Sequence, residues 1–275
     1  EASALKLIMK TGSLLLLSAC FLMTCTTSPL NRRQMVIYSE AEITQQGEQT
    51  YRQMQQQLPI STDTRETRYI QCVTDYVVAA LEPVERGNYV WEVTVFDDEQ
   101  ANAFALPGGK IGIYNGLLDI AAPPPQLASV IAHEVGHVLA NHSNERASQA
   151  ALRNVGLAAA QILGASSSAI EAIDVGSRYG IFLPFNRTQE IEADTIGVML
   201  MARAGFDPEA SITLWQNIVV TAGPSPPQLL STHPSPASRM SELRQLMEPA
   251  VGIRNSANSR GINPDCVAPG NNLQF

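Results

Sequence analysis

No C-x-x-C pair occurs among the four cysteines of this 275-residue chain. A cysteine-clamped zinc site or a dithiol redox site therefore has no basis in the sequence. Charge is scarce, at 16% of residues. Beyond residue 19 the basic residues are arginines except Lys110, they are scattered without a stripe, and the formal net charge of the chain is −8. That balance excludes a nucleic-acid partner. Internal repeats are missing, and no apolar run reaches the ~20 residues of a membrane-spanning helix. What is present is ample apolar content, 45% of residues, in a chain long enough for one sizeable domain with a real core plus appendages.

The first apolar stretch is short and follows two lysines. Lys6 and Lys10 precede Leu14 to Leu17, then Ser18, Ala19 and Cys20. This is the layout of a secretory signal peptide over residues 1–19. Its end, "LSAC", resembles the bacterial lipobox, which implies a lipid on Cys20 and membrane attachment through that lipid. Residues 20–44 then read as a lipidated tether, 45–248 as the domain and 249–275 as a Pro-, Asn- and Gly-rich tail. Phe21 follows the cysteine where inner-membrane retention often has Asp, which favours the outer membrane. An exported protein meets an oxidising compartment. A Cys72–Cys266 disulfide pinning the tail to the domain is one hypothesis there, and two free thiols are the other.

Periodicity places a polar helix over 40–57 and a second over 64–82, stopped by Pro83. "YVWEVTVF" (89–96) alternates and is rich in β-branched and aromatic residues, so it reads as a strand. "ANAFAL" and "KIGIY" add two strands, joined through Pro107-Gly108-Gly109, with a turn at Asn115-Gly116. A helix is expected over 126–147, closely packed small-residue helices over 151–172, and further helices over 188–204, from Asp207-Pro208 to 221, and over 236–247. This is an α+β class, mostly helical with a small mixed sheet.

Within the 126–147 helix stands "HEVGH", residues 133–137. At 3.6 residues per turn His133 and His137 project from one face and can reach one ion. H-E-x-x-H is the zinc-peptidase pattern, in which the glutamate, here Glu134, can move protons at a water polarised by the metal. A third ligand is needed. One zincin class puts a third His six residues after the second with Gly between, but Ser143 and Ala140 hold those places here. His142 is off register and reads as a solvated helix-end residue. The other class takes a glutamate from a second helix. In "RTQEIEADTIG" (187–197) Glu190 and Asp194 share a face, while Glu192 points about 200° away from Glu190. The reading is Glu190 as ligand and Asp194 as acceptor of a histidine N–H.

Four ordered blocks extend the pattern: "NAFALPGGKIGIYNGLL" (102–118), "HEVGH" (133–137), "LPFNRTQEIEAD" (183–194) and "STHPSPASRM" (231–240). Over roughly 45–248 the chain resembles the membrane-associated gluzincin metallopeptidases that include HtpX, BepA, LoiP, the mitochondrial Oma-type protease and the CAAX prenyl protease. It is most similar to the small LoiP-type lipoproteins, since it has neither a set of transmembrane helices nor a tetratricopeptide extension.

The resemblance implies a gluzincin domain acting as a zinc endopeptidase. One zinc per chain would be held by His133, His137 and Glu190, with Glu134 as general base and acid. It implies that an edge strand lines the cleft, with Asn102, Ala103 and Ala105 along a substrate added as a further strand. His233 either stabilises the oxyanion or fills zinc's open position and keeps the enzyme latent. Arg239 orients a carboxylate or the substrate. The implied setting is the bacterial envelope, facing the periplasm, where misfolded or unassembled envelope proteins are degraded. The alternative is a chaperone-like assembly factor with a latent zinc site, working beside chaperones or outer-membrane assembly partners.

Overall fold

The computed structural model describes residues 25–87, 89–162, 185–221, 228–233 and 236–270. The expected signal peptide, Cys20, much of the small-residue stretch 151–172 and Pro234 lie outside these. The chain starts with a short antiparallel pair, β1 (Cys25–Thr27) and β2 (Arg33–Met35), turned at Asn31 with φ 60°. Helices α1 (Glu40–Gln57), α2 (Thr64–Ala79) and α3 (Pro83–Arg86) follow. Strands β3 (Glu92–Phe96), β4 (Ala103–Leu106) and β5 (Lys110–Tyr114) make the sheet. Next come a 3-10 turn (Asn115–Leu117), α4 (Leu118–Ala121), α5 (Pro124–Leu139), α6 (His142–Ile162) and α7 (Arg187–Arg203). The last helices are α8 (Ala210–Thr221), α9 (Gln228–Thr232) and α10 (Pro236–Ser259).

The sheet is mixed, in the order β3-β5-β4, with β3 parallel and β4 antiparallel to β5. β5 is central and nearly all buried, which its apolar "KIGIY" run requires. Phe104 on β4 lies across Gly112 on β5, where a Cβ would meet its ring. Among the described residues no strand pairs with the other edge of β4. Asn115 and Gly116, expected as a turn, open the 3-10 turn instead.

Helix α5 runs through the core. Leu127, Val130, Ile131, Val135 and Val138 are buried, and Pro124 and Pro125 supply preset φ angles at its start. It packs on α7 with backbones in contact. A Cβ on Gly136 would stand 2.8 Å from the Ala193 oxygen, and one on Gly197 would stand 2.9 Å from the His133 nitrogen. Asn186 starts α7 with a capping box, receiving the Gln189 N–H at 3.0 Å while its own N–H donates to Gln189 Oε1 at 3.2 Å.

Three expectations are corrected. The 126–147 helix is two helices, because Asn141 takes φ 55° and ends α5. Asn tolerates that left-handed position better than most residues. The tether assigned to 20–44 includes the β1–β2 hairpin, which docks on the domain: Gln34 donates to the Ala140 carbonyl at 2.5 Å and the Ile37 N–H donates to Ser148 Oγ at 2.8 Å. The tail from 249 is helix as far as Ser259, because the buried stripe Leu243, Ala250 and Ala257 continues past Pro249. Cys72 and Cys266 are joined as a disulfide that fastens the segment beyond α10 to α2. No described helix is long and apolar enough to cross a membrane.

Candidate metal centre

Helix α5 delivers His133 and His137 one turn apart, α7 delivers Glu190, and the end of α9 delivers His233. Their ligand atoms all lie within 4.8 Å of one another, and all four residues are buried. His133 Nε2 is 3.0 Å from His137 Nε2 and 3.2 Å from His233 Nδ1. Glu190 Oε2 is 3.5 Å from His133 Nε2, and Glu190 Oε1 is 3.5 Å from His137 Nε2 and 2.9 Å from His233 Nδ1. A tetrahedral zinc with bonds of about 2.05 Å needs ligand atoms roughly 3.3 Å apart. The donor set fits that ion in chemistry and in spacing.

Both carboxylates of the "E-x-x-x-D" pair are held by Arg239. Its Nε and Nη2 donate to Asp194 Oδ2 and Oδ1 at 2.6 and 2.7 Å, and Nη1 lies 2.6 Å from Glu190 Oε2. The guanidinium is buried and sits 4.0 Å over the Trp215 ring. Asp194 Oδ1 is 2.9 Å from His133 Nδ1 and accepts its proton, which leaves Nε2 aimed at the cluster.

Electrostatics separate these groups. Burial penalises the Asp194 and Glu190 carboxylates, yet Arg239 holds the first below its ordinary range, and His233 with His133 and His137 holds the second there. Burial and Arg239 act against a charge on His133, but Asp194 and Glu190 outweigh them and raise it to about 9. Burial drives His137 well below its ordinary value. Glu134, 2% exposed, goes the other way from its neighbours. Burial pushes it up, opposed by His233, His133 and the Ala105 backbone. A carboxyl raised this way is better matched to proton transfer near neutral pH.

Asn102, Ala103 and Ala105 sit at or beside the start of edge strand β4 and are buried. Asn102 Oδ1 has no hydrogen-bond partner among the described residues. Helix α9 covers this end: the Leu229 N–H donates to the Ala101 oxygen at 3.2 Å, the Phe185 N–H donates to the Thr232 oxygen at 3.2 Å, and His233 is anchored through its N–H to Leu229 at 2.9 Å. His233 Nε2 stands 3.2 Å from Glu134 Oε1. The cavity left beside His133, Asp194, Trp215 and His233 is only ≈ 20 Å³, room for about one water.

His142 is a further correction. It is fully buried rather than solvated, because the turn at Asn141 folds α6 back under α5. Its Nδ1 is 2.8 Å from His137 Nδ1 and its Nε2 is 3.1 Å from Glu192 Oε2. Burial disfavours charge on Glu192, but His142, Ser28 and Arg32 bring it down to about 2. Arg32 donates to Glu192 at 2.7 Å and to both Glu145 oxygens at 2.8 Å. All four histidines of the chain thus meet in one cluster. Sequence reasoning also missed Phe185, stacked on His137 with centroids 3.7 Å apart, and Arg146, stacked 3.6 Å over Phe185 and lowered by burial to about 10. No spacing signal marks either, and none marks His142, which nine residues after His133 would face the opposite side of a continued helix.

Comparison with known proteins agrees with this geometry. The chain is 38% identical over 170 residues to the mitochondrial metalloendopeptidase OMA1 of Schizosaccharomyces pombe, covering 61% of this chain and 50% of that protein. It is 38% identical over 165 residues to the OMA1 of Arabidopsis thaliana, covering 59% and 33%. It is 31% identical over 211 residues to the beta-barrel assembly-enhancing protease of Escherichia coli K12, covering 73% and 42%. The chain therefore spans half or less of the length of these relatives. The model of Peptidase family M48 matches residues 64–247, well over half of the sequence, and the chain belongs to that family.

Proposed function

We propose that the chain is a zinc-dependent endopeptidase whose ion is held by His133, His137 and Glu190. M48 metallopeptidases use zinc, and the buried cluster can hold one ion. The observation that carries the reading is the convergence of two imidazole Nε2 atoms, 3.0 Å apart, on a buried glutamate of a second helix. Bound there, zinc would polarise a peptide carbonyl and an attacking water. Glu134 takes the water's proton and returns one to the leaving amine. Its burial raises its basicity for that work. Asp194 keeps His133 in the ligating tautomer, and Arg239 keeps Asp194 and Glu190 in place.

The substrate adds along β4 as a further strand, antiparallel pairing being available at that edge, and Asn102 Oδ1 offers an acceptor to it. Ala103 and Ala105 keep the approach low. His233 stands among the ligand atoms and beside Glu134 in this conformation. This is a resting state, and α9 must withdraw His233 before a carbonyl can enter. The same placement favours the second reading, an assembly factor that binds unfolded chains while its zinc site stays closed.

We assign the enzyme to the bacterial envelope, attached by a lipid on Cys20 at the outer membrane and acting on misfolded or unassembled envelope proteins. The leader with its "LSAC" end and the similarity to the beta-barrel assembly-enhancing protease support this. The test is zinc content and casein cleavage by the full chain and its Glu134→Gln variant. About one zinc in both, with cleavage lost in the variant, is expected. Zinc in both with cleavage in neither supports the closed-site reading, and a folded chain without zinc removes the metal centre.

A further inference from the structure

We propose that Glu192 and His142 form a hydrogen-bond relay that fixes the tautomer of His137, and that Arg32 of the N-terminal hairpin holds the relay in register. The inference rests on the metal-centre reading above and assigns residues that reading does not use.

A histidine can bind a metal through Nε2 only when that nitrogen carries no proton, so its single proton must sit on Nδ1. Ligating histidines usually secure this by giving Nδ1–H to a carboxylate or a carbonyl. His133 does so directly, through Asp194 at 2.9 Å. His137 has no carboxylate on its Nδ1. It has the Nδ1 of His142, at 2.8 Å. Two imidazole nitrogens at that distance need one donor and one acceptor. The far side of His142 decides which. Its Nε2 faces the Glu192 carboxylate at 3.1 Å, and an ionised carboxylate only accepts. The His142 proton is therefore on Nε2, its Nδ1 is bare, and His137 must donate. The outcome is a bare Nε2 on His137, aimed at the cluster.

The alternating acids of "EIEAD" on α7 thus divide their work. Glu190 faces the cluster, Asp194 orients His133, and Glu192, on another face of the helix, orients His137 through His142. Glu192 in turn cannot rotate away. Arg32 Nε donates to it at 2.7 Å while both Nη atoms grip Glu145 at 2.8 Å, and Gln189 donates to Glu145 at 2.8 Å. Arg32 lies outside the 64–247 span of the family match, so a segment beyond that span completes the support of the centre. Glu192, His142 and Arg32 are positioning residues: none of them touches the cluster's ligand atoms except through His137.

The test is zinc affinity of the full chain, measured by competition with a chromophoric chelator, for wild type, His142→Asn and His142→Phe. Asn places an oxygen near the former Nδ1 and can still accept from His137. Phe fills the space without an acceptor. The relay requires a ten- to hundredfold loss in the Phe variant and affinity within about threefold of wild type in the Asn variant. Equal affinity in all three, or an equal fall in both variants, overturns it. A wild type that binds no zinc overturns the metal centre itself, which is a distinct result. Ring-nitrogen NMR of the zinc-free wild type provides a check that needs no variant, since the chain has only four histidines. His142 protonated on Nε2 supports the relay, and His142 protonated on Nδ1 refutes it.

Discussion

Gly197→Ala should weaken zinc binding although alanine is the better helix former. Gly197 lies inside α7, where Ala is worth about 1 kcal/mol over Gly. A Cβ there would stand 2.9 Å from the His133 nitrogen and 3.0 Å from the Ala132 carbonyl carbon and His133 Cα, where ordinary contact starts at 3.4 Å. These are backbone atoms of a buried helix and cannot swing aside. The two helices must part by roughly 0.5–1 Å, and overpacking of that kind costs about 1–3 kcal/mol. Net stability then falls by about 0–2 kcal/mol. The metal site is less tolerant. Glu190 stands seven residues, about two turns, before Gly197 on the same face, and ligand distances hold to about ±0.2 Å. An affinity loss of about tenfold or more is expected, or about 1.4 kcal/mol. Chelator competition reads the affinity and urea unfolding of the zinc-free chain reads the stability. Gly252→Ala on α10 is the control, since a Cβ there meets nothing within 4 Å; it should bind zinc as wild type does. If Gly197→Ala matches that control in both measurements, the ligand spacing is not set by backbone contact between α5 and α7.

His233→Ala should keep zinc, because His133, His137 and Glu190 remain, and should raise casein cleavage by removing a side chain that stands among the ligand atoms; a fall in cleavage would instead assign His233 to the substrate. Stability of the zinc-free chain should drop as the pH falls from about 4.5 toward 2. Glu192 is held near 2, below the ordinary carboxylate value, so its contribution is complete above that ordinary value and disappears as pH falls through the folded one. Urea midpoints at pH 7, 4 and 3 check this, and Arg32→Met should flatten the slope; a slope unchanged by that substitution would remove Arg32 as a cause.

Much of the architecture was legible because local patterning and final environment agree. The apolar run of β5 and the face of α5 say where they are buried, and the HEVGH spacing is fulfilled by one helix alone. What was not legible depends on contacts between distant segments. Asn141 ends α5 with a single left-handed residue inside a pattern that otherwise continues, so His142 could not be turned inward by periodicity. Arg32 meets Glu192 across 160 positions of sequence. Glu192 was rightly set on another face from Glu190, but what stands on that face, His142, follows only from the path of α6. Pro249 reads as a helix stop by its chemistry, and burial of Ala250 and Ala257 overrides it.

Cys72 comes before, and Cys266 after, every residue of the metal cluster and of β4. The two cysteines, 194 positions apart in sequence, therefore close a covalent ring that contains the whole cluster. A single proteolytic cut anywhere in that ring opens the loop without releasing a fragment. A nicked molecule remains one particle, with both halves of its ligand set still linked. Its damage becomes visible on a gel only after reduction.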